Sequence, residues 1–443
     1  MTERRYGLVT TFYSYKGGVG RSMALADVAV LLARMGSRVL VVDWDIEAPG
    51  LDTWLRPWLN EPIHDGLVEI VTRFHDLDPN DAARRIEPVP VPGVDDRLGL
   101  VRAGRTDATW AARAQAVHWR ALYQGGFGRW LEDLRAAWQR DWDHVLIDSR
   151  TGLGDVGGIC TMQLPQVLVT LFTPSLQSVE GAARVAAQAA AGQARMPIDR
   201  APLRVVPVMT RLDNTEHELR RRWERHAIEV MGPLLTPWLD APGREADLIR
   251  ELAVPHVPYW SYGDELPVIR GSVEDRHGVE YAHETLALLL RRGLGDVSLI
   301  LDQRKRAGSD GDAEVFVSYP GAFGDVARQL VEALRQRGLR VTWDRDLPPG
   351  EPWQGALDDL RDRARDAVVL VGPTSGAFQA REIAQLTERA HARTGTSRLV
   401  PALLPGAAFS DLPEPLRAWR GTDMDSFGSI DAFADELVRA LTR

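Results

Sequence analysis

Cysteine and lysine are nearly absent from this chain. Cys160 is the one cysteine in 443 residues. It can form no intramolecular disulfide and build no Cys-rich zinc site. No stretch reaches the ~18 uninterrupted apolar residues that a membrane-spanning helix requires. Met1–Arg5 is polar and runs straight into an apolar, strand-like segment, without the apolar region of a signal peptide. These features read as a cytosolic protein. All but two of the 53 basic residues are arginine, the lysines being Lys16 and Lys305. A GC-rich genome explains the bias, but it also singles out any lysine that persists. The net charge of −9 argues against nucleic acid or an anionic membrane as the main partner. The ten histidines show no metal-ligand spacing. Neither a GxSxG elbow nor a Cys/His pair points to a hydrolase of those kinds.

What is present is an ordinary globular composition, 26% charged and 44% hydrophobic, long enough for two or three domains. Strand-like and helical patterns alternate. Buried-strand runs fall at Leu8–Phe12, Arg38–Asp43, His144–Asp148, Val167–Phe172 and Val205–Met209. Helical spacing follows at Ser22–Met35, Val179–Gln193, Glu216–Met231 and Tyr281–Arg292. This order predicts an α/β fold, a doubly wound parallel sheet with helices on both faces. The segment 52–142 holds many of the tryptophans and reads as an insertion, with helices near Ala111–Leu122 and Phe127–Gln139. Core packing is the expected role of most of those rings. The run Asp302–Asp312 is polar and ends in turn formers, which predicts a linker over 298–312. A second, smaller α/β domain then runs from 313 to 443, after a first domain over 1–297. Its strands are predicted at Glu314–Ser318, Arg340–Trp343, Ala367–Val371 and Leu399–Leu404. Its helices are predicted at Phe323–Arg337, Trp353–Arg363 and Glu382–Ala392, with another at the C-terminus.

Between the first strand and the first helix stands Lys16-Gly17-Gly18-Val19-Gly20-Arg21-Ser22. Glycines let backbone N–H groups turn toward an anion, and the helix N-terminus adds its positive end. The ordinary phosphate loop, GxxxxGK[ST], is missed twice, at Tyr15 and at Arg21. With Lys16 included, the segment resembles the deviant Walker A motif of the ParA/MinD family of ATPases. Asp43-Trp44-Asp45 after the second strand is similar to that family's acidic DxD. Asp148-Ser149-Arg150-Thr151-Gly152 is placed like its Walker B segment. The resemblance is closest to a bacterial subgroup that carries arginine at the loop lysine and is often fused to signalling or immune-type domains.

The resemblance implies a P-loop fold that binds ATP and Mg²⁺. Gly17, Gly18, Val19 and Gly20 would wrap the phosphates, with Arg21 beside them. Ser22, Asp43 and Asp148 would hold Mg²⁺, and Asp45 would orient an attacking water. Lys16 would reach the partner's nucleotide in an ATP-bridged dimer. Arg21 leaves ATP turnover open. Thr210-Arg211-Leu212-Asp213 lacks the NKxD pattern of guanine readers, and the family analogy favours adenine.

In the second domain, four segments in order resemble a TIR (Toll/interleukin receptor) domain, whose fold is flavodoxin-like. They are Val315-Phe316-Val317-Ser318-Tyr319, Val341-Thr342-Trp343-Asp344, the loop Arg345–Trp353, and Ser375 to Glu382. Some TIR domains cleave NAD at the nicotinamide–ribose bond. The resemblance gives the catalytic carboxylate to Glu382 and substrate contacts to Phe316, Ser318, Tyr319 and Trp353. It implies a nucleotide-driven self-association that brings TIR domains together to consume NAD, in the manner of a bacterial antiphage effector. The alternative is an ATP-driven signalling or positioning protein whose TIR domain is a non-enzymatic scaffold.

Overall fold

The computed structural model describes residues 6–59, 65–105, 107–152, 158–197, 200–213, 217–262, 264–271, 278–311, 315–337, 339, 341–346, 357, 364, 366–373, 377–392 and 398–442. The chain divides into two compact units after Arg304.

The first unit is built on a seven-stranded sheet. Its strands are β1 (Leu8–Ser14), β2 (Val39–Asp43), β3 (Glu87–Pro88), β4 (Leu98–Val101), β5 (His144–Asp148), β6 (Val167–Phe172) and β7 (Arg204–Met209). Their spatial order is β3-β4-β2-β5-β1-β6-β7. Every pairing is parallel except β3 with β4. The near-continuous apolar runs follow from burial on both faces. In β2, Val39 and Val41 enter one hydrophobic cluster, and Leu40 and Val42 enter the other. The helix Arg21–Arg34 packs on the first face through Leu25, Val28 and Leu32. The helix Phe127–Asp141 packs on the second through Leu131, Leu134 and Trp138.

The tryptophan-rich segment supplies β3 and β4 to the sheet, so it is part of the framework as well as an insertion. Trp119, Trp130 and Trp138 are buried in the second-face cluster, while Trp110 and Trp142 pack against it. The helix expected over Ala111–Leu122 is two short helices, Trp110–Gln115 and Trp119–Gln124. The break lets Val117 and Trp119 both turn inward. The segment expected as a linker is helical from Val297 to Gly311. Val297, Ile300 and Leu301 bury themselves in the core of the first unit at helical spacing.

The second unit holds a five-stranded, fully parallel sheet. Its strands are β8 (Val315–Ser318), β9 (Val341–Thr342), β10 (Asp366–Val371), β11 (Leu399–Leu403) and β12 (Thr422–Asp423). The order β12-β11-β10-β8-β9 is the 2-1-3-4-5 winding of flavodoxin-like folds. The helices Gly324–Gln336 and Ile430–Thr442 cover one face, and Ala377–Ala392 covers the other. That last helix starts five residues before the expected Glu382. Gln379 Nε2 donates to the carbonyl of Leu370 at 2.7 Å and ties its first turns to β10. The helix expected at Trp353–Arg363 lies outside the described residues except at Leu357. Among the described residues, no helix is long and apolar enough to cross a membrane.

Candidate functional site

In the first unit, strand order brings three sequence-distant motifs together. β5 lies between β2 and β1, and its last residue, Asp148, is in register with Asp43 on one side and Phe12 on the other. The glycine loop leaves β1 at the same carboxyl edge, where doubly wound sheets bind ligands. Gly18 and Gly20 take φ of 72° and 87°, conformations that side-chain-bearing residues rarely adopt. Lys16, Gly17 and Gly18 are exposed, whereas Val19 is buried under the loop.

Arg21 turns inward and is only 7% exposed. Its Nε donates to Asp148 Oδ1 at 2.5 Å, and its Nη2 to Asp45 Oδ2 at 2.8 Å. Ser22 Oγ donates to the other Asp148 oxygen at 2.5 Å. Asp43 accepts the backbone amides of Asp45, Gly50 and Leu51 at 3.1, 3.2 and 3.2 Å. Burial, and then the Asp148 carboxylate, pushes the Asp43 carboxyl well above the usual range. Burial raises Asp148 as well, against the opposing pull of Arg21. Burial works against the Arg21 charge, but Asp148 and Asp45 outweigh it and hold the guanidinium protonated.

Asp148 therefore has both oxygens bonded, to Arg21 and Ser22. Both Asp43 oxygens are bonded to amides. Arranged this way, every carboxylate oxygen of Asp43 and Asp148 accepts a hydrogen bond, and the Ser22 hydroxyl is given to Asp148, so a divalent ion would compete with these bonds. Among the described residues, no cluster of three or more His, Cys, Asp or Glu side chains is disposed to hold one.

Two contributors escaped the sequence reading. The amide of Gly50 holds Asp43, and a Cβ there would stand 3.4 Å from Ser22 Oγ. Gly181 makes room for Tyr15, since a Cβ would come within 2.4 Å of that ring. The tyrosine at the first loop position is thus seated against the helix Leu176–Gln193. Such a long-range fit leaves no local signature.

In the second unit, Ser318 ends β8 and pairs in register with Val369 of β10. Sheet order reverses between these two strands, the place where such folds bind ligands. Ser318 Oγ donates to Glu382 Oε2 at 2.6 Å, and both side chains are buried. Tyr319 is half-buried; its hydroxyl donates to Asp344 Oδ1 at 2.8 Å, and its ring lies 5.6 Å from Trp343. Burial, and then the bond to Asp344, pushes its phenol up. Arg345 stacks over Trp343 at 5.3 Å, in space that a side chain at Gly324 would take. Phe316 is 1% exposed and packs in the core with Val369 and Ile383. The fold therefore brings Ser318 and Glu382 together and keeps the Phe316 ring in the core. Trp353 lies outside the described residues.

Comparison with known proteins places these sites in context. A family model described as the CobQ/CobB/MinD/ParA nucleotide binding domain matches residues 10–242. A model described as TIR domain matches residues 315–441. No curated protein matches the chain. Solved structures similar to it include a ParA family ATPase from Chlorobium tepidum, at 17% identity over 63% of this chain and 98% of that one, with a TM-score of 0.43. The septum site-determining protein MinD of Pyrococcus horikoshii, complexed with Mg-ADP, is 16% identical over 66% of this chain and 100% of that one, with a TM-score of 0.45. The apo McdA of Cyanthece is 16% identical over 64% and 100%, again with a TM-score of 0.45.

Proposed function

Because the chain belongs to the CobQ/CobB/MinD/ParA nucleotide-binding family and carries a TIR domain behind that unit, we propose that it is an ATP-regulated effector that cleaves NAD. ATP binds at the glycine loop, with adenine as the base by family analogy. Binding drives self-association, which brings TIR domains into contact. The assembled TIR domains hydrolyse the nicotinamide–ribose bond. Water adds at the ribose carbon, nicotinamide leaves with the bonding electron pair, and ADP-ribose and a proton are released. Uncontrolled loss of NAD is toxic to a cell, and a switch of this kind suits a bacterial antiphage role.

The observation that carries the reading is the Ser318–Glu382 pair at the strand-order reversal of the second sheet. Breaking the glycosidic bond builds positive charge on the ribose. A carboxylate held in a low-dielectric setting stabilises that charge without reorganising. A glutamate serving only as a solvated residue at a helix start has no need of burial. Glu382 is 6% exposed and is held by a hydroxyl from a neighbouring strand.

The test is NAD consumption by the full chain, with and without ATP, at several protein concentrations. Loss of NAD that rises with ATP or concentration, and disappears in Glu382→Ala, supports the reading. An assembled, ATP-bound protein that leaves NAD intact supports instead a TIR domain acting as a scaffold.

A further inference from the structure

The centre at the glycine loop has an unusual inventory. Six carboxylate oxygens, from Asp43, Asp45 and Asp148, converge there, and each already accepts a hydrogen bond. Asp43 accepts three backbone amides of the following turn, one at Oδ1 and two at Oδ2. One Asp45 oxygen accepts the amide of Ala48 at 3.3 Å, and the other is held by Arg21. Asp148 is divided between Arg21 and Ser22. Among the described residues, the cation paired with this ring is the Arg21 guanidinium.

A guanidinium fits this place as a lysine ammonium does not. Its planar fork directs separate N–H groups at two carboxylates at once, here through Nε and Nη2. The remaining terminal nitrogen, Nη1, is buried and has no partner among the described residues. Leaving a buried donor unpaired is costly, so such a group ordinarily finds an acceptor. The acceptor chemistry that suits a charged donor beneath a glycine loop is an anionic phosphate oxygen.

We propose that Arg21 is the resident cation of this centre, holding the place between Asp45 and Asp148 that would otherwise fall to a divalent metal ion, so that nucleotide binds with little dependence on Mg²⁺. The inference rests on the nucleotide-binding reading of the loop. Nε and Nη2 bind the two carboxylates, which share the single charge, and Nη1 meets the phosphate. Lys16, on the same loop, is exposed and takes no part in this ring. A metal ion at Asp148 competes with the bonds from Arg21 and Ser22 and meets the repulsion of the guanidinium charge.

The experiment is a fluorescence titration of the full-length protein with a fluorescently labelled ATP analogue, in excess Mg²⁺ and in excess EDTA. The wild-type Kd is expected to change by less than about threefold between the two buffers, and Arg21→Lys to lose roughly tenfold or more in EDTA. Wild-type affinity that falls roughly tenfold in EDTA overturns the assignment and leaves nucleotide binding standing. Absence of binding in both buffers overturns the nucleotide reading, and the assignment with it. The wild-type pair decides the matter even where Arg21→Lys does not fold. A second measurement uses Mg²⁺ alone. The melting temperature of the wild-type protein is expected not to rise with added Mg²⁺, and a rise that saturates with Mg²⁺ counts against a resident arginine.

Discussion

Replacing Ser318 by alanine removes one hydroxyl from the second unit and little else. The hydroxyl donates to Glu382 Oε2 at 2.6 Å, with Ser318 only 2% and Glu382 only 6% exposed. Water has little access to take over the bond. A hydrogen bond to a charged group contributes about 1.5–3 kcal/mol, and truncating one partner exposes most of that. If Glu382 stabilises charge on the ribose, loosening its carboxylate acts on the transition state more than on bound substrate. The expected result is a fall in kcat for NAD cleavage of roughly 10- to 150-fold, with KM within about twofold. Ser318→Thr keeps the hydroxyl and should recover much of the rate. The assay is nicotinamide release by the assembled full chain, with the melting temperature measured alongside. A Ser318→Ala enzyme within about threefold of wild type, beside an inactive Glu382→Ala, would refute a positioning role for this bond.

Further outcomes follow from the first unit. His144 is 5% exposed at the start of β5, and burial lowers its pKa from 6.5 to about 4. The unfolded chain therefore binds the extra proton first on acidification, and stability is lost as pH falls from 6.5 through about 4. The full loss is about 3 kcal/mol, so urea unfolding of His144→Gln should show a flatter pH dependence over that range. Asp27 and His283 form a fully buried pair at 2.7 Å that joins the helix after the glycine loop to the helix Val279–Arg291. His283→Ala removes that carboxylate's buried side-chain partner, leaving it the Val268 amide at 3.3 Å, and should cost about 3 kcal/mol in urea unfolding, with part recovered on adding Asp27→Asn. Gly18 has φ 72° with open space where a Cβ would sit, so Gly18→Ala tests backbone strain alone. A cost of about 1–2 kcal/mol is expected in urea unfolding, with no change in fold by circular dichroism.

Much of the fold is legible in the sequence because burial on both faces of a parallel strand writes itself as an unbroken apolar run. His144–Asp148 and Val167–Phe172 end where those runs end. β1 continues two residues past the expected Phe12, since Tyr13 and Ser14 are buried although one is polar-tipped and the other small. The helix beginning at Ala377 is masked in sequence by small and polar residues, and its start is fixed by a bond from Gln379 to a strand carbonyl. In the segment read as a linker, the apolar spacing of Val297, Ile300 and Leu301 competes with the polar run that follows. The three loop motifs are legible because each follows a strand, and strand order does the rest. The destination of Arg21 is not legible. Its partners stand 24 and 127 residues away, and nothing local distinguishes a guanidinium aimed at a loop from one aimed at the carboxylates beneath it. Phe316 and Ser318 share one face of β8, but the ring enters the core and the hydroxyl meets Glu382.

The scarcity of lysine has a practical consequence for Lys16. Its ammonium lies 5.8 Å from the Tyr15 ring centroid on an exposed loop, and only one other side chain in the sequence carries a primary amine. An amine-directed label therefore finds few targets, and a tryptic or mass-spectrometric map assigns them without ambiguity. The same chain that surrounds its buried carboxylates with arginine leaves a single acylable nitrogen at the mouth of its glycine loop. The extent of labelling at that nitrogen becomes a direct gauge of how far a ligand, or a second copy of the protein, covers the loop.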